Sequence, residues 1–518
     1  MDSFNDLWLN ESFTTFVAAR MEERLKLRTD AWAEFRIRTA SGYFIDSLRS
    51  THPVQLNLKD PTEISQSTDE ITYFKGANIV RMIERFLGEE TFRAGLRVYF
   101  DRFQYANARS EDLWQALEEA SRQPVRRWMR AWVDRPGLPV VRVHQTPTGL
   151  RLEQSRFSFA PEQLPDPPWP IPLRLMDGTD ERTQVFEGAT LELPFTDPGR
   201  VRLNPERSAF IRIWYDVPSR RARLPQLATW PAADRWAYVN DAAAFVLSGD
   251  STVAEFLEVV DAVTDVTDYP TIQEVLAALR TGYRYLPEHA AIVPAALRFC
   301  RAQWRRLGEQ PRPGEPDTDP ILRQSLATDL VRLDPAFAAA FAARFPRLES
   351  EPSALRPAIL LAYARAGPTD AYARLFEFLH AAPSKAAAED AAGALGGVPS
   401  AALAEAVLAR ALEPGIANIN VQHIVAGLAA QPFARPAVWA WMQAHLREYE
   451  RRGEGSWMLS VLLQGTIPAV GLVDPAAVRA YFTRESFPEG SNGIRNGLEM
   501  LEVLIRLRAR ELTPPGGP

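Results

Sequence analysis

A mainly α-helical protein carrying one small β-sandwich is the fold class this sequence predicts, on three observations. Apolar residues recur every three to four positions over residues 1–137, and again from about 230 to 510. Between these stretches, residues 138–217 change to two-residue alternation with dense proline. Hydrophobic residues at 46% and charged residues at 24% are the proportions of an ordinary globular chain. With 518 residues there is enough chain for two to four domains with sizeable cores.

The first helix follows Glu11, where Phe13, Phe16, Val17, Met21 and Leu25 stand at helical spacing. A helix is expected from Glu70 to Leu87, with Val80, Ile83 and Leu87 on one face and Gly88 as its C-terminal stop. Glu90–Phe103 and Ser110–Ser121 read as further helices, the second with Ser110 as N-cap ahead of Leu113 and Trp114. Val140–His144 and Leu150–Gln154 then alternate as half-buried strands do, and Ile171–Leu175 and Phe210–Tyr215 add more. Six prolines between Pro161 and Pro172 disfavour helix and suit loops between strands. A sandwich of about 80 residues accounts for this stretch.

The remaining chain is alanine-rich and helical. Asp234–Leu247, Ala254–Val263, Ile272–Arg280, Ala354–Ala366, Ala371–Leu379, Ala401–Leu412 and Pro436–Glu450 alternate with Pro and Gly breaks. Stacked antiparallel pairs of this kind predict an α-solenoid, although no strict repeat period is present. Gly308–Pro320, rich in Pro and Asp, predicts an exposed loop, and Thr513–Pro518 a disordered tail.

Composition also excludes function classes. A net charge of −6 offers no general attraction to nucleic acid. Cys300 is the single cysteine, so neither an internal disulfide framework nor a thiolate zinc cluster is available, which fits a reducing compartment such as cytoplasm. There is no 18-residue apolar run, hence no expected membrane span, and no basic-then-apolar leader. The sequence contains no Gly-x-Ser-x-Gly elbow, phosphate-binding loop or Gly-x-Gly-x-x-Gly fingerprint. The six histidines, at 52, 144, 289, 380, 423 and 445, are scattered: none is followed by Glu and no two are four apart.

Four blocks carry chemistry. They are Asn5–Glu11; Asp69–Ala77; Phe86–Phe92 with Gly95-Leu96; and Tyr105–Ala108 with Asp112–Trp114 and Pro136–Val140. In content, order and spacing they resemble the M1 family of zinc aminopeptidases, the group of aminopeptidase N, the endoplasmic-reticulum aminopeptidases and the tricorn-interacting aminopeptidases. The likeness continues more loosely through Gln154–Phe157 and Asp234-Arg235. It implies a zinc metallopeptidase that removes N-terminal residues from peptide substrates. Within it, residues 1–137 would be the C-terminal part of a thermolysin-like catalytic domain and 138–217 a β-sandwich. Residues 218–512 would be the C-terminal helical solenoid and 513–518 a tail.

The resemblance assigns two site residues. In this family a Glu in a block like Asn5–Glu11 is the third zinc ligand, so Glu11 takes that role. On its own such a Glu is a solvated residue at a helix start, favoured there by the helix dipole. Tyr73 matches the tyrosine that stabilises the tetrahedral intermediate; a phenol is a neutral donor able to hydrogen-bond a developing oxyanion. On composition alone it would be a core tyrosine. Phe74 departs from the family, where a small residue is common. Ser12 and Thr14 stand where relatives have Gly and Ala. Gly76-Ala77 is read as a close-packing step, Lys75 as pointing to solvent and His52-Pro53 as a structural pair.

The resemblance also says what this chain does not carry. The family's His-Glu-x-x-His helix supplies two zinc ligands and the general base, and a separate loop grips the substrate's α-amine. One carboxylate cannot hold a catalytic zinc, which needs three protein ligands and an open position. Zinc is therefore expected in an intact parent and not in this chain alone, which is expected to be inactive. The expectation is an N-terminally truncated product, or one part of a split gene whose partner is the upstream segment. Such a chain should expose apolar surface from residues 1–137 and be poorly soluble. The alternative is a stand-alone, non-catalytic M1-like interaction scaffold.

Overall fold

The computed structural model describes residues 6–28, 30–56, 69–160, 167–453 and 456–513. Asn5, the start of the proline-rich stretch (161–166) and the last five residues of the predicted tail lie outside them. The described chain is mostly helical with small sheets, and it divides into two compact units at residues 274 and 275.

The first unit opens with α1 (Leu7–Arg24) and α2 (Ala31–Asp46). Asp30 caps α2 by accepting from the Trp32 amide at 3.1 Å. The predicted helix from Glu70 is two pieces: a π-helical turn, Ile71–Lys75, continuing as α3 (Gly76–Leu87). Gly88 ends α3 at φ +82, a conformation glycine adopts without cost. The face expected from Val80 and Ile83 is too narrow, because every residue from Gly76 to Glu84 is buried. Asn78, Arg81 and Glu84 are thus interior polar residues: Asn78 Nδ2 donates to Thr39 Oγ1 at 2.9 Å, and Arg81 to the Arg207 carbonyl at 3.0 Å.

Three short helices follow, α4 (Glu89–Phe103), α5 (Ser110–Ser121) and α6 (Val125–Val133). Ser110 does not cap α5 as its sequence suggested. Arg109 occupies the cap position, its amide held by Asp112, while the Ser110 amide and hydroxyl both donate to Asp6. A long-range carboxylate outcompetes the local capping geometry, and it ties the start of α1 to α5.

Among the described residues, seven strands lie between Leu138 and Tyr215. β1 (Leu138–Thr146) is central in a four-stranded sheet, flanked by antiparallel β2 (Gly149–Phe157) and parallel β7 (Arg212–Tyr215), with β5 (Thr190–Pro194) beyond β2. β3 (Ile171–Asp177), β4 (Asp180–Phe186) and β6 (Val201–Leu203) form an antiparallel three-stranded sheet. The alternation in the sequence found β1, β2, β3 and β7. It missed β4, β5 and β6: β4 and β5 are mostly exposed and carry little apolar signal, and β6 is only three residues long.

In the second unit, helices Asp319–Leu333, Arg356–Ala366, Lys385–Leu395, Asn418–Ala429, Met458–Val470 and Ser491–Leu512 pack successively, each on the next. Others alternate with them in sequence, among them Ala371–His380, Ala401–Leu408 and Arg435–Arg452. The predicted helix to Leu412 ends early, at Leu408. Gly396 and Gly427 meet where Lys385–Leu395 passes Asn418–Ala429: a Cβ on Gly427 would lie 2.8 Å from the Gly396 Cα.

Candidate active site

Two elements carry the predicted site residues, α1 with Glu11 and the π-helical turn with Tyr73. Their register is set by the neighbours of those residues. Ser12 Oγ donates to the Thr72 carbonyl at 2.6 Å in a buried hydrogen bond. Gly76 makes the approach possible, because a Cβ there would overlap the Ser12 hydroxyl. Gly42 on α2 likewise leaves room for the half-buried Phe74, whose Cβ lies 3.3 Å from where a Gly42 Cβ would stand. Of the three residues that depart from the family pattern, Ser12 and Phe74 therefore sit against a glycine.

With Ser12 and Thr72 joined, the half-buried side chains of Glu11 and Tyr73 come together, the carboxylate close enough to the phenol for its charge to be felt there. Burial pushes the phenol above the ordinary tyrosine value, and the nearby Glu11 carboxylate pushes it further. Tyr73 is thus a neutral O–H donor at any physiological pH. Asn10 Nδ2 lies 3.4 Å from Glu11 Oε1 on the other side. A π-helical turn places five residues where α-helix would place fewer, and such turns recur at functional sites.

The turn is held at both ends. At its start, Asp69 Oδ1 accepts from the amides of Ile71 at 3.0 Å and Thr72 at 3.3 Å, and the Asp69 carbonyl accepts from the Tyr73 amide at 3.1 Å. At its end, Lys75 corrects the sequence reading. Its ammonium does not face solvent; it pairs with Asp46 at 3.1 Å, both side chains fully buried. Lys75 Nζ also donates to the carbonyls of Arg135 (3.1 Å) and Gly137 (3.0 Å). Asp46 accepts in turn from the Gly137 amide and Thr51 Oγ1, each at 2.8 Å. Burial pulls the Lys75 ammonium below the ordinary lysine value, against the upward pull of Asp46. The reason for the error is that a lysine between aromatic and glycine carries no sequence mark of a carboxylate 29 residues upstream.

His52, Asp69, Asp46 and Ser12 were not among the candidate site residues. Asp69 could have been found, since an acceptor side chain just ahead of a helical run is a capping signal. Asp46 could not, because its partner is set by the tertiary fold.

The donor set does not make a catalytic metal centre by itself. Among the described residues, no group of three or more His, Cys, Asp or Glu could hold a metal ion. Glu11 is a single carboxylate whose contacts, Tyr73 and Asn10, are neutral. A zinc site of the hydrolytic kind needs three protein ligands.

Known proteins resemble this chain along most of its length. Residues 1–132 match the peptidase family M1 domain, and residues 201–503 match the ERAP1-like C-terminal domain. The chain is 31% identical over 513 residues to tricorn protease-interacting factor F2 of Thermoplasma acidophilum, and 30% over 509 residues to the protein of that name from Thermoplasma volcanium. It is 27% identical over 508 residues to leucyl aminopeptidase of Saccharolobus solfataricus. Each alignment covers 98% of this chain and 63% of the relative, so the chain spans less than two thirds of the length of these relatives.

Proposed function

Because this chain belongs to the M1 peptidase family, we propose that it carries one part of a zinc aminopeptidase site, in which Glu11 is a metal ligand and Tyr73 stabilises the intermediate. One observation supports this reading above the others: the Tyr73 hydroxyl and the Glu11 carboxylate, 62 residues apart in sequence, lie beside one another at a register fixed by the buried Ser12–Thr72 bond. The substrates would be peptides with a free N-terminus, and the compartment the cytoplasm. Residues 1–137, 138–217 and 218–512 are proposed as catalytic-domain portion, sandwich and solenoid.

The chemistry available to this chain is that of a proton held at Tyr73 Oη. The phenol stays neutral, so it can donate to an oxygen on which negative charge develops, and a water-poor setting strengthens that bond. Since the donor set does not fit zinc, this chain alone is proposed to be inactive, and the amine-gripping and general-base groups belong to other residues. The lone carboxylate also favours a second reading, a non-catalytic scaffold. The relatives named tricorn protease-interacting factor suggest protein partners for it.

The test is hydrolysis of fluorogenic aminoacyl amides, with zinc content measured, on this chain and on the chain placed behind a segment bearing His-Glu-x-x-His. The first should neither retain zinc nor cleave. The second should bind one zinc and cleave, and Tyr73→Phe should lower kcat by about 10²–10³. An extended chain that binds zinc and leaves the amides intact would sink the enzyme reading in favour of the scaffold.

A further inference from the structure

His52 sits outside the Glu11–Tyr73 pair, yet its contacts run directly into the turn that carries Tyr73. Its Nε2 lies 2.8 Å from Asp69 Oδ2, and its Nδ1 lies 2.7 Å from the Pro53 carbonyl. Both oxygens are acceptors, so both ring nitrogens must donate, and the ring that satisfies the geometry is the imidazolium. Asp69 is fully committed. One carboxylate oxygen takes His52, the other takes the Ile71 and Thr72 amides, and its carbonyl takes the Tyr73 amide. The Ile71, Thr72 and Tyr73 amides at the head of the π-helical turn are thus all bonded to Asp69, and His52 holds its other carboxylate oxygen.

We propose that His52, as an imidazolium, is a positioning residue for Tyr73: it clamps Asp69, which sets the turn, which holds the phenol against Glu11. This rests on the reading of Tyr73 as a functional group, and it adds a regulation to that site. When His52 loses its proton, one of its two ring nitrogens can no longer donate. The clamp then loosens on the side facing Asp69 or Pro53. Burial favours the neutral ring, but the Asp69 hydrogen bond and charge together outweigh it and hold the imidazolium above the ordinary histidine value. Of the charged groups near His52, Asp69 is in direct contact, and Asp46 acts from farther off with its own charge paired to Lys75. The site should therefore be ordered below the His52 titration and relax as pH rises through it.

The experiment uses this chain as it stands, labelled with ¹³Cζ-tyrosine, with Tyr73→Phe identifying the Tyr73 signal among the 13 tyrosines. In the wild-type chain, well below phenol ionisation, the Tyr73 signal should shift with an inflection that coincides with the His52 imidazole signals. In His52→Gln that inflection should vanish, and the Tyr73 signal should stay near its high-pH position. A Tyr73 signal that is flat through the His52 titration overturns the proposal, as does an inflection that persists in His52→Gln. If the variant does not fold, the wild-type titration decides alone. Failure of the aminopeptidase reading would show instead as uncleaved amides, with the coupling between His52 and Tyr73 untouched.

Discussion

Both helical regions bury charge, but in different settings. Around the site, α3 is enclosed from Gly76 to Glu84 together with Asn78, Arg81 and Glu84, and the Lys75–Asp46 pair beside it is removed from solvent altogether. From Val275 onward the charged pairs Arg280–Asp329 and Arg323–Glu315 accompany a large apolar cluster, Ala327 to Phe487, of alanine, leucine, valine, isoleucine and aromatic side chains, with glycines where helices come closest. Apolar contacts are non-directional and one can replace another, so they decide that helices pack and leave wide choice in detail. A buried ion pair is directional and costly to break, while adding little net stability. The first kind of interior suits a repetitive support. The second suits a place where one phenol must face one carboxylate.

The contrast can be broken most forcefully at Lys75. Lys75→Met leaves Asp46 buried without its counter-charge, and urea unfolding should show a loss of about 3–5 kcal/mol. Adding Asp46→Leu should recover much of it; a single variant that costs no more than a surface change would remove the distinction between the regions. The matching test in the second region is Gly427→Ala. Its new Cβ would meet the Gly396 backbone, so overpacking should cost about 1–3 kcal/mol in thermal unfolding. Tyr73→Phe should cost about 1 kcal/mol or less by the same measurement, because the hydroxyl it removes is only half-buried. A large loss would make Tyr73 a core residue rather than a functional one.

pH sharpens the comparison with the smallest effects. On the helix Lys385–Leu395, burial and the neighbouring Glu389 push Asp390 up to about 6. The folded state then holds that proton more tightly than the unfolded state. Its contribution to stability is present at low pH and declines from roughly pH 4 to 6. In the site region, raised His52 gives stability that is complete below the ordinary histidine value of about 6.5 and lost as pH rises through its folded value. The wild-type-minus-variant difference in unfolding free energy should change in the lower window for Asp390→Asn and in the upper window for His52→Gln. Changes in one common window would contradict the assignment of the two groups.

Much of the fold was legible because periodicity survives in a single sequence. Glu90–Phe103 and Ser110–Ser121 lie within one residue of the observed helices, and strands β1, β2, β3 and β7 were found by their alternation. Signals failed where burial was unusual for the pattern. Exposed β4 and β5 have no apolar face to announce them, β6 is too short to show alternation, and α3 has buried polar residues where an amphipathic helix would show solvent. At the site, Glu11 and Tyr73 were recognisable from their surrounding blocks. Lys75 was misjudged and Asp46 overlooked, because a charged side chain reads as exposed until its partner is known.

What the sequence determined alone is the class of the fold, the family resemblance, and the two residues worth attention. These follow from short-range spacing, which the chain displays whether folded or not. The tertiary structure decided that Ser12 meets Thr72, that Glu11 comes to lie beside Tyr73, and that His52 and Lys75 hold the turn between them. Hydrogen bonds and ion pairs act over a few ångströms in space, and no rule of spacing links residues 17, 29 or 60 positions apart until packing has brought them into reach.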